Sequence, residues 1–259
     1  MKNNKRPLIL VTNDDGVSAP GIRALIDVAK KIGDVCVVAP DSPQSGMGHA
    51  ITVNNTIYCD KVDLSDPAVQ VYSSSGTPVD CVKLAMNKIL DRKPDLCISG
   101  INHGSNSSIN VIYSGTMSAA VEAGTQGIPA IGFSLLDYSL EANFEPSKRY
   151  VEQLCRQALA NGIPKNVVLN VNIPNLPAEE IKGTKVCRQA NAQWKESFDK
   201  RTNPHGRDYY WLTGEFVNLD SGEDTDEWAL ENGYVSVVPV QFDLTAYTAL
   251  EQIAEWELP

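Results

Sequence analysis

A chain of 259 residues, 42% hydrophobic and 21% charged, is long enough to bury a full core as one elaborated α/β domain or as a large and a small lobe. Its net charge of -10 repels nucleic-acid backbones, which argues against a polymeric DNA or RNA partner and requires any phosphate site to carry a local cation or a focused backbone field. Six cysteines without a C-x-x-C pair read as reduced thiols, no apolar stretch is long enough to span a membrane, and the apolar run after the basic N-terminus is too short for a signal peptide, so a cytoplasmic protein is expected.

In chain order, Leu8 to Val11 is a continuous apolar run and reads as a strand buried on both faces, the parallel-sheet type. Pro20 opens a helix whose face is marked by Ile22, Leu25, Ile26 and Ala29 and which Gly33 ends. Val35 to Ala39 completes a βαβ unit. Strand-like segments follow at Ala50 to Tyr58 and Val69 to Ser73. Thr77-Pro78-Val79-Asp80 is a helix start, with a cap, a proline in the first turn and an acid three residues after the cap. That helix is expected to reach Leu90, and Lys83 on it is expected to be solvated. Asp95 to Ser99 is the next strand, followed by a long polar loop. A short helix at Ser118 to Gly124, a strand at Pro129 to Leu135, a helix at Pro146 to Asn161 and a strand at Val167 to Ile173 complete the alternation.

Past residue 180 the pattern changes. Strand-like pieces at Thr184 to Arg188, Tyr209 to Thr213 and Tyr234 to Val238 alternate with polar loops, and Ala246 to Trp256 suits a terminal helix. Asp220 to Glu227 holds five acids and reads as a solvated loop. The fold class is therefore α/β, a mainly parallel, Rossmann-like sheet flanked by helices (residues 1–180), with a β-rich C-terminal extension (181–259) suited to self-association.

In open parallel sheets, ligands bind beyond the carboxyl ends of the strands. Three polar loops leave such ends here: Asn13-Asp14-Asp15-Gly16, Asp41 to Gly46, and Gly100 to Asn106. Adjacent carboxylates at the end of a buried strand need a cation or hydrogen-bond donors, and an all-oxygen donor set suits Mg²⁺ or Mn²⁺ rather than Zn²⁺. The plain alternative is that Asp14 caps its own turn. Tyr113-Ser114-Gly115-Thr116 stands before a helix, and free N–H groups there form an anion site, or merely an ordinary N-cap. Asn102 and Asn106 are able to donate to phosphate or to bind metal through an amide oxygen. His103 is a weaker candidate, as general acid or phosphate donor, and His49 and His205 are weaker still. The signatures of serine hydrolases, dinucleotide sites and P-loops are missing.

Taken in order, Asn13-Asp14-Asp15-Gly16 with Ala19-Pro20-Gly21, Ala39-Pro40-Asp41 with Ser45-Gly46, Gly76-Thr77-Pro78 with Asp80-Cys81, Ser99-Gly100-Ile101-Asn102 with Gly104 and Asn106, and Tyr113-Ser114-Gly115-Thr116 form a specific set. Weaker matches continue to Gly233-Tyr234 and Asp243-Leu244-Thr245. On these motifs the chain resembles the SurE family of stationary-phase survival proteins, which are 5'/3'-nucleotidases. The resemblance implies one divalent metal ion, Mg or Mn, per subunit, with Asp14, Asp15, Ser45 and Asn102 as ligands. It places phosphate contacts on Asn106, Ser114, Gly115 and Thr116, with Asp14 or Asp15 positioning the attacking water. It also implies a hairpin and a C-terminal arm exchanged between subunits, hence a homodimer or homotetramer. Ser107 to Asn110 depart from many members, and His103 stands at a variable place. The rival readings are a broad acid phosphatase or exopolyphosphatase, a metal-dependent glycosyltransferase and a non-catalytic nucleotide-binding protein.

Overall fold

The structure, a computed structural model, describes residues 6–63, 66, 68–139 and 141–257, so the basic N-terminal run before Arg6 lies outside the described residues. A nine-stranded sheet organises the chain. Its central strands are β1 (Leu8–Thr12), β2 (Asp34–Pro40), β4 (Val69–Ser74), β5 (Leu96–His103), β6 (Ala130–Leu135) and β7 (Val167–Ile173). Together with β3 (Cys59–Val62), β8 (Thr184–Val186) and β11 (Val235–Gln241), they run in the order β3-β4-β2-β1-β5-β6-β7-β11-β8. Pairings from β4 through β7 are parallel; β3 and β11 add antiparallel partners at either side.

Two-residue periodicity distributes the strand side chains between two layers. Ile9, Val11, Val35, Val37, Leu96 and Ile98 pack with α1 (Pro20–Ile32) and α4 (Glu145–Asn161) on one face. Leu10, Cys36, Val38 and Cys97 meet α2 (Pro78–Leu84) and α3 (Gly115–Thr125) on the other. Apolar residues at every position of β1 and β2 are thus the signature of a sheet covered on both sides. No helix among the described residues is long and apolar enough to cross a membrane.

Local chemistry sets the helix ends. α1 carries proline in its first turn and Lys30 and Lys31 in its last, where cations suit the helix dipole. α2 is held by a reciprocal box: Asp80 N–H donates to the Thr77 hydroxyl at 3.2 Å, and Thr77 N–H donates to Asp80 Oδ2 at 3.0 Å. Gly21 lets α1 lie against the end of β5, because a Cβ there would fall 2.0 Å from the Ile101 carbonyl oxygen.

Several expectations are corrected. Ala50 to Tyr58 is irregular, and the strand is Cys59–Val62. The segment hangs on the α2 cap instead of pairing: Thr52 N–H donates to Asp80 and the Thr77 hydroxyl donates to Ala50 O at 2.8 Å. The helix expected to reach Leu90 ends as a π turn at Ala85–Ile89, and α3 begins at Gly115, ahead of Ser118. Lys83 is not simply solvated, since its ammonium lies 2.7 Å from Glu122 Oε1. β5 continues through the stretch read as a loop, bulging between Ser99 and Asn102, where the Gly100–Ile101 peptide is cis.

The residues past 180 share the main sheet through β8 and β11 and also form a separate antiparallel hairpin, β9 (Ala192–Thr202) with β10 (Asp208–Asn218). Only its 209–213 portion is strand-like in sequence, because both faces of the hairpin are exposed and carry no burial pattern. The acidic run is not a solvated loop throughout: Thr225 caps α5 (Asp226–Glu231), and Asp226 is 1% exposed. The terminal helix is shorter than the 246–256 span, a 3₁₀ turn at Tyr247–Ala249 followed by α6 (Leu250–Ala254).

Candidate active site

Strand order reverses beside β1: the chain leaves β1 toward β2 and β4, then returns to place β5 on the opposite side. The carboxyl ends of β1 and β5 therefore flank a switch-point crevice, where open α/β sheets bind ligands. Four hydrogen bonds draw the loops together there. Gln44 N–H donates to Asp14 O at 2.7 Å, carrying the Ser45 loop to the end of β1. His103 N–H donates to Asp15 Oδ2 at 3.2 Å, which ties the end of β5 to the same turn. Gly48 N–H donates to Tyr113 O at 3.1 Å, and the Thr116 hydroxyl donates to Asp14 Oδ1.

Asp14 sits deepest, 4% exposed. Burial pushes its carboxyl up to about 6 from an ordinary 3.8; the Thr116 hydrogen bonds oppose the rise and the neighbouring Asp15 charge adds to it. Gly115 is required by this approach, because a Cβ would stand 2.7 Å from Asp14 Cβ and 2.9 Å from Oδ2. Asp15 is less enclosed and also lies 3.1 Å from His103 Nδ1, while the buried His103 Nε2 has no protein partner and the ring meets Phe144 edge-on. Among the described residues, no lysine or arginine pairs with either carboxylate.

Ser45 is exposed on its loop, and Asn102 donates its amide to Gly104 O at 3.0 Å, leaving its carbonyl oxygen free to accept. The donor set of two carboxylates, a hydroxyl and an amide oxygen fits a hard divalent cation. It also fits the energetics, since a buried acid with a raised pKa beside a second acid lacks the positive charge that would keep both ionised. No group of three or more His, Cys, Asp or Glu able to hold a metal occurs among the described residues, so such a cation would be completed by Ser45, Asn102, water and substrate oxygens.

The anion side is built on α3. Ser114 Oγ accepts from Met117 N–H at 3.0 Å, so the cap leaves the Gly115 amide at the helix tip. Asn106, 6% exposed, is gripped from below: its N–H donates to Asn172 Oδ1 at 2.8 Å and its Nδ2 donates to Ser134 Oγ at 2.7 Å. Asn170 Nδ2 donates to Asn106 O at 2.8 Å, and Asn172 Nδ2 donates to Asn170 Oδ1 at 3.1 Å. One amide hydrogen of Asn106 remains for a ligand. The structure thus gathers Asp14, Asp15, Ser45, Asn102, Asn106, Ser114, Gly115 and Thr116 at one crevice, with His103 beside them. His49 instead bonds Glu122 at 3.2 Å, and His205 lies in the β9–β10 turn. Glu122, although desolvated, is held below the usual carboxylate range by Lys83 and His49.

Sequence reasoning passed over two supports. Asn170 and Asn172 are the only polar side chains of Val-Val-Leu-Asn-Val-Asn-Ile, two apart and therefore on one face, and that pairing inside an apolar strand is the available signal. The second support is Asp226, which accepts from Ser108 N–H at 2.7 Å and from Ala190 and Glu227 N–H at 2.9 Å. Beside it Glu227, pushed up by burial, accepts from the Ser107 hydroxyl. The run of acids around Asp226 conceals it in the sequence.

Comparison with known proteins agrees across the chain. Residues 9–196 match the family model described as survival protein SurE. A protein of Christiangramia forsetii named 5'-nucleotidase SurE is 68% identical over 257 residues, covering 99% of both chains. One of the same name from Bacteroides fragilis is 46% identical over 256 residues, 98% of this chain and 99% of its own. The crystal structure of the SurE protein from Aquifex aeolicus superimposes with a TM-score of 0.83 at 43% identity, covering 95% of this chain and 98% of that one.

Proposed function

The chain belongs to the SurE family, and from that premise we propose that it is a metal-dependent phosphatase hydrolysing nucleoside 5'-monophosphates, and 3'-monophosphates as well, to nucleoside and phosphate. The observation that carries the reading is the meeting of a buried, electrostatically unsatisfied Asp14-Asp15 pair with the N-terminus of α3. An acid pair that needs a cation, set against backbone donors that favour an anion, suits a metal–phosphate pair.

Asp14, Asp15, Ser45 and Asn102 would hold one Mg²⁺ or Mn²⁺ ion, which supplies Lewis-acid polarisation of a phosphoryl oxygen and lowers the pKa of water. The protein's own groups do the rest. Asp15, backed by His103, orients the attacking water and receives its proton. Asn106 Nδ2, the Ser114 hydroxyl and the Gly115 amide hold the phosphoryl oxygens as charge moves to the leaving group. Thr116 acts through Asp14, fixing the carboxylate that faces the substrate.

The exposed hairpin, with Phe198, Tyr210, Trp211 and Leu212, and the C-terminal segment, with Leu244, Tyr247, Leu250 and Trp256, leave large apolar side chains in solvent. These arms suit contact with further copies of the chain, giving a homodimer or homotetramer.

The deciding experiment is phosphate release from each 5'- and 3'-nucleoside monophosphate with Mg²⁺, Mn²⁺ or a chelator, on wild type and on Asp14→Asn and Asp15→Asn. Metal-dependent release lost in both folded variants is expected. Full activity in either variant would sink the site assignment, and no release from any nucleotide would sink the activity.

A further inference from the structure

A second cavity, of about 390 Å³, opens beside the crevice and is lined by Gly46, Tyr113, Trp194, Glu196, Leu212 and Gly214. It adjoins the crevice through the chain itself. Gly46 follows Ser45 and Tyr113 precedes Ser114, and the Gly48–Tyr113 hydrogen bond joins these two loops. The opposite wall is the root of the β9–β10 hairpin.

The aromatic groups of this cavity are held in place yet uncovered. Trp194 Nε1 donates to Asn110 Oδ1 at 2.8 Å, and its ring meets Phe216 edge-on at 5.5 Å. Those contacts fix the indole while leaving it 41% exposed, and Tyr113 is 49% exposed. Gly46 and Gly214 contribute no side chains to obstruct a flat ligand, and a Cβ at Gly46 would meet nothing within 4 Å. The volume lies within the roughly 300–1,000 Å³ range of small-molecule sites.

We infer that this cavity receives the base of the nucleotide whose phosphate lies in the crevice, stacked on Trp194 and Tyr113, with the Glu196 carboxylate accepting from an exocyclic amino group. The inference rests on the nucleotidase reading above and adds how the site recognises its substrate. A fixed ring needs little ordering on binding, and stacking tolerates every base. Selectivity then falls to Glu196, because a carboxylate accepts from the amino group of adenine or cytosine and repels the carbonyl that replaces it in hypoxanthine or uracil.

The test compares kcat/KM for AMP, IMP and ribose 5-phosphate in wild type, Trp194→Leu, Tyr113→Leu and Glu196→Gln. Ribose 5-phosphate presents a like phosphate ester without a base. Wild type is expected to favour AMP over ribose 5-phosphate, and each aromatic variant to reduce that ratio about tenfold, in the range of one lost stack. Glu196→Gln is expected to narrow the AMP-to-IMP ratio selectively. Tyr113→Leu and Glu196→Gln carry the test on their own should Trp194→Leu lose its thermal unfolding transition. Unchanged ratios in the folded variants overturn the base site while hydrolysis continues. Absence of hydrolysis of any of the three esters by wild type overturns the nucleotidase reading and this inference with it.

Discussion

Replacing Asn172 with leucine tests whether the buried amide network positions the phosphate contact. Asn172 is fully buried, and its side chain serves two groups, Asn106 N–H at 2.8 Å and Asn170 Oδ1 at 3.1 Å. Leucine keeps the approximate volume, so little cavity term arises, but both groups lose their partner. An unsatisfied buried donor or acceptor costs roughly 1–3 kcal/mol, which gives a loss of about 2–6 kcal/mol in unfolding free energy. Catalysis should suffer separately, because Asn106 then loses the tether on its backbone while Ser134 still holds its side chain. A displacement of about 1 Å at a substrate contact is worth up to roughly 100-fold in rate. Urea unfolding and kcat/KM on a nucleoside monophosphate, both below the unfolding transition, measure the two effects. Asn172→Asp retains an acceptor for Asn106 but sets an oxygen against Asn170 Oδ1, so it should recover part of the activity while remaining unstable. A stability loss under about 1 kcal/mol, or a large stability loss with unaltered kcat/KM, would refute the positioning argument.

Gly115→Ala should reduce kcat/KM by about 100-fold while changing unfolding free energy by about 1 kcal/mol or less, since alanine suits a helix start but its Cβ displaces the Asp14 carboxylate; activity and urea titration separate the effects. In chelator, Asp14 should contribute a pH dependence of defined sign. Its folded pKa lies above its unfolded value, so the folded state binds the extra proton, and stability attributable to Asp14 is greatest below 3.8 and lost as pH rises to about 6, by about 3 kcal/mol at most. The wild-type minus Asp14→Asn difference in unfolding free energy across that window isolates it, and a rising difference would contradict the burial argument. Asp226→Ala deprives three amides of their acceptor and should lower stability by about 3 kcal/mol; an unchanged urea midpoint would show that water replaces the carboxylate.

Much of this molecule is legible in its sequence where burial is two-sided and periodic. Leu8 to Val11, Val35 to Ala39 and Val167 to Ile173 leave little choice but a covered parallel sheet, and that sheet brings the polar loops to one end. The capping box at Thr77 is readable because a helix start is decided within four residues. What escaped depends on distant partners. Gln193 to Arg201 is exposed, so its pairing with β10 leaves no alternation to detect. Asp226 looks like one acid among five until the fold delivers the amides of Ser108 and Ala190 to it. The irregular 50–58 segment is apolar enough for a strand, yet the hydrogen bonds that fix Thr52 and Ala50 come from the helix cap.

The position of β1 also bears on how the protein acquires activity. Both of its neighbours come later in sequence, and Thr12 pairs with Ser99 only after all of the intervening chain has been placed. Contacts closing so large a loop form slowly, because chain entropy is lost before they stabilise anything. Asp15 meets His103 across that same junction. Helical signal and apolar collapse can therefore return early in refolding, while turnover waits for β5 to dock. In a dilution-refolding experiment, enzymatic activity would be the last signal to recover.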